Sequence, residues 1–372
     1  MSVKLKIALV TDWLTNLGGA EKVVAAVAEL YPEAPIYTTF LNYKKVQSHF
    51  PDRARIHPSR YDKIPLVSHR QMTIAPFLKS AVGSLDLSKY DLILSFSSSV
   101  AKNIRIKKGQ IHICYIHTPA RYIWQKEEDN RFEKFPKVIR PFVNLYLERL
   151  KKWDLEGNKT VHYFIANSSE TVRRVKKFYN RDATMLYPPV DFERFEVCED
   201  GNRKDYFFAF GRFVKYKKFD LLVEAFAQMP NRQLLLGGDG PEKAALEAKV
   251  KALGVSNINF LGRLPFSVLK KYLAQAKALL LPQKEDAGIV QLEAFASGVP
   301  VIAYGEGGVL DVLEEGVNGM TFEAQTPESL ISALERFETI SFDSRLIRGT
   351  AENYSTKKFQ KNFQQFVGNF TK

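Results

Sequence analysis

Apolar runs of strand length alternate with segments of helical period along the chain, and the pattern begins again after Tyr187-Pro188-Pro189-Val190-Asp191. Such alternation belongs to βαβ units built around parallel sheets. Two successive prolines cannot continue a helix and lack the amide donors a ladder needs, so this segment is a boundary or linker. At 372 residues the chain also exceeds what one hydrophobic core usually supports. The expected architecture is therefore α/β, with two Rossmann-like domains: residues 1–188 and residues 189–355. In the first, strands are expected at Lys4 to Thr11, Pro35 to Thr39, Leu92 to Ser95, Ile111 to Ile116, His162 to Ala166 and Thr184 to Leu186, with helices at Gly19 to Glu29 and Val138 to Leu155. In the second, strands are expected at Tyr206 to Gly211, Gln233 to Gly237, Ile258 to Leu261, Ala278 to Leu281 and Val299 to Ala303. Its clearest helices are Phe219 to Gln228, Glu242 to Leu253, Ser267 to Ala274 and Ile289 to Ser297. The tail carries Phe359, Phe363, Phe366 and Phe370 at helical spacing, an aromatic stripe that suits a terminal helix (356–372) packing back on the first domain.

Bulk properties narrow the class. The residues are 45% hydrophobic and 26% charged, as in globular enzymes. No run approaches the roughly 18 consecutive apolar residues of a spanning helix, and the start shows no secretory apolar segment. Cys114 and Cys198 are too few and too far apart for a disulfide framework or zinc site. A cytoplasmic protein, peripheral at most to the inner face of the membrane, is expected. The net charge of +13 is one-sided: residues 1–190 hold 31 basic against 17 acidic side chains, and the remainder 23 against 24. A basic half can steer a phosphorylated acceptor, anionic lipid or nucleic acid, or simply be a solvated face.

Several motifs lie where strands end. Gly18-Gly19-Ala20-Glu21 joins a flexible turn to a helix N-terminus, a place for phosphate or sugar as well as for a plain turn. It lacks the Gly-x-Gly-x-x-Gly dinucleotide fingerprint, which argues against a hydride-transfer cofactor. His117-Thr118-Pro119 ends a buried strand, where open parallel sheets bind ligands. Arg121, Tyr122 and Trp124 follow, offering a cation and two rings that could face a sugar or pack inside. Gly211-Arg212 ends the first strand of the second half, with Lys217 five residues on: a planar fork and a point charge suited to a diphosphate. The most specific feature is Glu285-Asp286-Ala287-Gly288-Ile289-Val290-Gln291-Leu292-Glu293, whose two glutamates are separated by seven residues. The first lies on a strand-end loop and the second on the helix opened by Gly288. One carboxylate can meet sugar hydroxyls and the other a ribose, while the Ile289 and Val290 amides face a phosphate.

Together with Ala166-Asn167-Ser168-Ser169, Gly237-Gly238-Asp239-Gly240 and Phe260-Leu261-Gly262, these segments resemble, over nearly the full length, the family 4 glycosyltransferases of the GT-B fold. The resemblance implies a retaining hexosyltransferase whose domains face each other across a cleft and close on the substrates. It places Gly18 and Gly19 near the donor phosphate, Arg212 and Lys217 on the diphosphate, and Glu285 on the transferred sugar. It also places Glu293 on the ribose, the backbone near Arg263 and Leu264 on the base, and His117 beside the sugar. Glu21, Arg121, Tyr122 and Trp124 are acceptor-side candidates. One departure is Ala287, where such motifs commonly carry Phe. The chain has no Asp-x-Asp, so no metal or other cofactor is expected, and protein cations would carry the leaving charge.

The segments 117–124 and 304–308 look most similar to bacterial mannosyltransferases of surface-polysaccharide assembly, making GDP-mannose the first donor choice and a UDP-sugar the second. The basic first half, with Lys102, Arg105, Lys107, Lys108, Lys134, Lys137 and Arg140 among Phe132, Phe135, Val138, Ile139 and Phe142, suits an anionic membrane and a saccharide or lipid-linked acceptor. A GT-B epimerase or phosphorylase, and a basic nucleic-acid-binding protein, are the competing readings. No nucleic acid partner is expected, because it would leave the paired glutamates unexplained.

Overall fold

The computed structural model describes residues 5–63, 77–125, 136–198 and 202–370. It divides into two compact units, one of Met1–Pro189 with Lys357–Lys372 and one of Val190–Thr356.

The first unit is built on seven parallel strands: β1 (Ile7–Thr11), β2 (Ile36–Thr38), β3 (Ile56–Pro58), β4 (Leu92–Ser97), β5 (Ile111–Ile116), β6 (Tyr163–Ala166) and β7 (Ala183–Met185). Their order is β3-β2-β1-β4-β5-β6-β7. Leu9 and Val10 pair with Ile36 and Tyr37 on one side and with Leu94 and Ser95 on the other. Strands buried on both faces favour apolar side chains, and all but the first residue of β1 and every residue of β4 are buried, with Ser95 Oγ satisfied by His112 Nε2 at 2.7 Å. Helix Gly19–Leu30 covers one face with Val23, Val24 and Val27. Helix Thr356–Gly368 joins the same core through Phe359, Phe363 and Val367, and Gln360 Nε2 donates to Ala26 O at 2.9 Å. Each fully buried Phe is worth roughly 1.5–3 kcal/mol.

The second unit has β8 (Tyr206–Arg212), β9 (Gln233–Asp239), β10 (Ile258–Gly262), β11 (Ala278–Leu281), β12 (Val301–Tyr304) and β13 (Gly319–Phe322), in the order β10-β9-β8-β11-β12-β13. Where the chain enters and leaves this unit, Val190 N donates to Tyr354 O at 2.8 Å.

Strand order reverses between β1 and β4 and again between β8 and β11, and ligands of open parallel sheets bind beyond the carboxyl ends at such points. Several elements lie outside the sequence expectation, helices Pro327–Glu338 and Ser344–Ala351 among them. β3 is a three-residue edge strand ending in proline, β13 a four-residue edge strand opening on glycine, and helix Ser169–Tyr179 starts inside a motif. Its N-cap is Ser168, whose Oγ accepts from Thr171 N at 3.1 Å.

Candidate functional site

In the first unit the carboxyl edge is organised by a residue the motifs did not expose. Asp12, directly after β1, accepts hydrogen bonds from Ser98 N (2.6 Å), Val100 N (2.7 Å) and Ala101 N (2.6 Å), and from Ser98 Oγ (2.9 Å). It thus ties the end of β1 to the turn after β4. Burial pushes its carboxyl up, and the same amides pull it down. Its only sequence signal was an acid directly after a buried strand.

Gly18 caps helix Gly19–Leu30, and Glu21 sits in the first turn. Burial lifts the Glu21 carboxyl to about 7, against hydrogen bonds from its own amide and that of Gly18, with a further push from the Asp12 charge.

His117 follows β5 and is buried, its amide donating to Ser97 O at 2.9 Å and its ring 5.2 Å from that of Tyr115. Helix Ser169–Tyr179 fixes this segment. Thr171 Oγ1 donates to His117 O at 3.2 Å, and Arg174 donates to Thr118 Oγ1 at 3.1 Å while paired with Glu170 at 3.0 Å.

The two rings that could face a sugar or pack inside both have partners within the first unit. The Tyr122 hydroxyl meets Ser99 Oγ at 2.9 Å. Trp124 stacks on Phe178 and donates Nε1–H to Asp154 Oδ2 at 2.8 Å. Arg121, at the start of helix Arg121–Trp124, is half-buried.

Lys102 requires a correction. Expected on the basic acceptor face, it is 1% exposed and pairs with Asp154 Oδ1 at 2.6 Å, while also donating to Asp154 O and Asn103 Oδ1. A buried ammonium needs such a partner, since desolvation without one would be prohibitive. Arg105, Lys107, Lys108 and Lys137 are exposed and Arg140 is half-buried. Phe132, Lys134 and Phe135 lie outside the described residues.

In the second unit every donor-side candidate lies on one carboxyl edge or on the helix it opens. Arg212 ends β8 and is exposed, and Lys217 closes the short turn Lys215–Lys217. Arg263 and Leu264 follow β10, and Gly237 in β9 leaves the room Leu264 occupies. Lys217 Nζ lies 2.6 Å from Glu285 Oε1, with side chains 18% and 13% exposed. Buried Gln283, which the motif did not single out, donates its amide to the same oxygen. The Glu285 loop is held from behind, where Gly308 N donates to Glu285 O at 2.9 Å. A Cβ on Gly308 would lie 2.0 Å from Asp286 O, so only glycine permits the approach.

Gly288 caps helix Ile289–Ala296, placing the Ile289 and Val290 amides in its first turn and the buried Glu293 within it. Ala287 is itself buried. Among the described residues no three His, Cys, Asp or Glu side chains gather as a metal site, and no helix is long and apolar enough to cross a membrane.

Known families match both units. Residues 17–194 match the model for Glycosyltransferase Family 4, and residues 191–353 that for Glycosyl transferases group 1. The chain is 37% identical over 258 residues to N-acetyl-alpha-D-glucosaminyl L-malate synthase of Bacillus anthracis, covering 63% of this chain and 66% of that protein. It is 31% identical over 131 residues to an uncharacterized glycosyltransferase of Methanocaldococcus jannaschii, covering 34% of each chain. The chain thus spans less than half the length of several curated relatives it matches. Its fold is similar to that of Anabaena HepE in complex with UDP-glucose, with a TM-score of 0.71 at 18% identity over 98% of this chain and 100% of that one. With a parallel-sheet Rossmann-like fold in both units and a glycosyltransferase model matched to each, the chain belongs to the family 4 glycosyltransferases of the GT-B fold.

Proposed function

We propose that this protein transfers a hexose from a nucleotide diphosphate sugar to a saccharide or lipid-linked acceptor, with retention and without a metal. The observation that carries the reading is the meeting of Lys217 and Glu285 at the β8/β11 reversal, a cation and a carboxylate from separate loops on one edge. Lys217, Arg212 and the first-turn amides of Ile289 and Val290 stabilise charge on the departing diphosphate. Glu285 holds sugar hydroxyls, and Glu293 the ribose. The bond between the anomeric carbon and the phosphate oxygen breaks, the acceptor oxygen bonds the same face, and its proton passes to the leaving phosphate oxygen. Glu21 and Arg121 belong to the first unit's carboxyl edge, where the acceptor is handled.

GDP-mannose is the donor favoured by segments 117–124 and 304–308. A second reading, a UDP-hexose, is favoured by the UDP-glucose bound in the similar HepE structure. Incubation with GDP-mannose or UDP-glucose, with and without bacterial lipid extract and with excess chelator, tests all of this. Acceptor-dependent release of nucleoside diphosphate, undiminished by chelator, is expected. Acceptor-independent isomerisation of the sugar nucleotide would instead identify an epimerase.

The acceptor side extends to the membrane. Val138 (79% exposed), Ile139, Phe142 (73% exposed) and Leu145 form an exposed apolar stripe along and just before helix Arg140–Asn158, with Lys137 and Arg140 beside it. Such a face suits the headgroup region of an anionic bilayer. Vesicle sedimentation should rise with anionic lipid, fall with salt, and drop roughly tenfold or more in the Lys137→Glu, Arg140→Glu double variant. Indifference to all three supports a soluble acceptor.

A further inference from the structure

Within the second unit, the cation assigned to the diphosphate is held by the carboxylate assigned to the sugar. Glu285 is fixed on three sides: Gly308 N holds its carbonyl at 2.9 Å, Gln283 donates to Oε1, and Lys217 Nζ lies 2.6 Å from that oxygen. Lys217, on a short turn with a four-carbon stem, is the partner that can turn away. Its single positive charge is already matched by Glu285, so an arriving diphosphate meets a neutral pair and not an open cation.

We propose that Glu285 sets how tightly the nucleoside diphosphate is held, by competing with it for Lys217. This rests on the donor-site reading above. When a nucleotide sugar is bound, the sugar hydroxyls donate to Glu285 and satisfy it, and Lys217 turns to the phosphates. Once the sugar has moved to the acceptor, those hydroxyls are gone. Glu285 recovers Lys217, and the diphosphate product loses its strongest point charge. The pair thus discriminates the donor from the spent nucleotide and drives product release, a step that often limits turnover.

The competition predicts opposite signs for two measurements on one variant. Isothermal titration of the full chain with UDP and with GDP, whichever binds, should show Glu285→Gln binding roughly three- to tenfold tighter than wild type, as expected when a partly exposed charge competitor is removed. Turnover of the corresponding nucleotide sugar should fall in the same variant. In a Lys217→Met background the affinity gain from Glu285→Gln should vanish, and the parent nucleoside without phosphate should show no gain at all. Equal or weaker nucleoside diphosphate binding by Glu285→Gln overturns the role. A gain that persists in Lys217→Met also overturns it, because direct repulsion by Glu285 would then suffice. Binding of neither nucleotide by the wild-type chain overturns the donor-site reading and this role with it.

Discussion

Each unit contains a lysine–carboxylate pair with the same 2.6 Å separation, set beside the loops that follow its strands. In the first unit Lys102 and Asp154 are each 1% exposed, and the acid also receives Trp124 and Tyr179. In the second, Lys217 and Glu285 are 18% and 13% exposed and open to exchange of partners. The difference is one of dielectric. A pair sealed from water cannot separate without leaving an uncompensated charge, so it serves to fix structure, whereas one at the rim of a sheet edge can change partners during a reaction. The loops are held differently as well. Asp12 secures the first unit's edge by accepting backbone amides, while the second relies on close backbone approach. At Gly238, for example, φ is +136° and a Cβ would lie 1.9 Å from Gly211 O.

The sharpest way to break this contrast is to remove one acid from each pair. Asp154→Ala should destabilise the first unit by about 3–5 kcal/mol, the usual cost of stranding a buried charge. Replacing both residues, as in Lys102→Met with Asp154→Leu, should recover much of the loss. Urea unfolding followed by circular dichroism measures both. An Asp154→Ala chain as stable as wild type would contradict the assignment. Glu285→Gln, by comparison, should change stability by less than about 1 kcal/mol.

Acid sensitivity should also reside in the first unit. His112 is fully buried between Ser95 Oγ (2.7 Å) and Thr160 O (3.2 Å), and burial depresses its pKa to about 3. The unfolded chain binds that proton near pH 6.5, so the unfolded state takes up protons first as pH falls. Stability present above pH 6.5 is therefore lost progressively toward pH 3, by a few kcal/mol. His112→Asn should flatten the stability–pH slope over that window, and an unchanged slope would remove His112 from the account.

For catalysis, Lys217→Ala or Arg212→Ala should lower turnover by roughly 10²-fold, with little change in thermal midpoint. Near-normal turnover in both variants would remove the diphosphate clamp. The smallest effect belongs to Tyr122→Phe. Its hydroxyl meets Ser99 Oγ at 2.9 Å, and losing one such hydrogen bond should cost about 1 kcal/mol in stability, without a large change in turnover.

Much of this was legible before any coordinates. Strand periodicity located eleven of the thirteen strands among the described residues. Glu285, Gly288 and Glu293 stand out as candidates because their spacing is local, on one loop and one helix. Lys102 was misread because charge patterning along a sequence says nothing about burial. Its partner Asp154 lies 52 residues away, on a helix whose polar face looks solvated in isolation. Asp12 and Gln283 were missed for different reasons. Asp12 accepts amides from a turn 86 to 89 residues on that only strand order brings to it, while Gln283 lies two residues from Glu285 but carries no charge to mark it. β13 escaped because four residues opening on glycine carry too little periodicity to register.

The central claim is that the carboxyl edge of the second unit binds a nucleotide diphosphate sugar through Lys217 and Arg212. Calorimetric titration of wild type, Lys217→Ala and Arg212→Ala with GDP-mannose and UDP-glucose tests it most directly. The account predicts that wild type binds at least one of the two, that each substitution weakens that binding at least tenfold, and that thermal midpoints stay close to wild type. Binding of neither donor, or binding that both alanine variants retain in full, would contradict it.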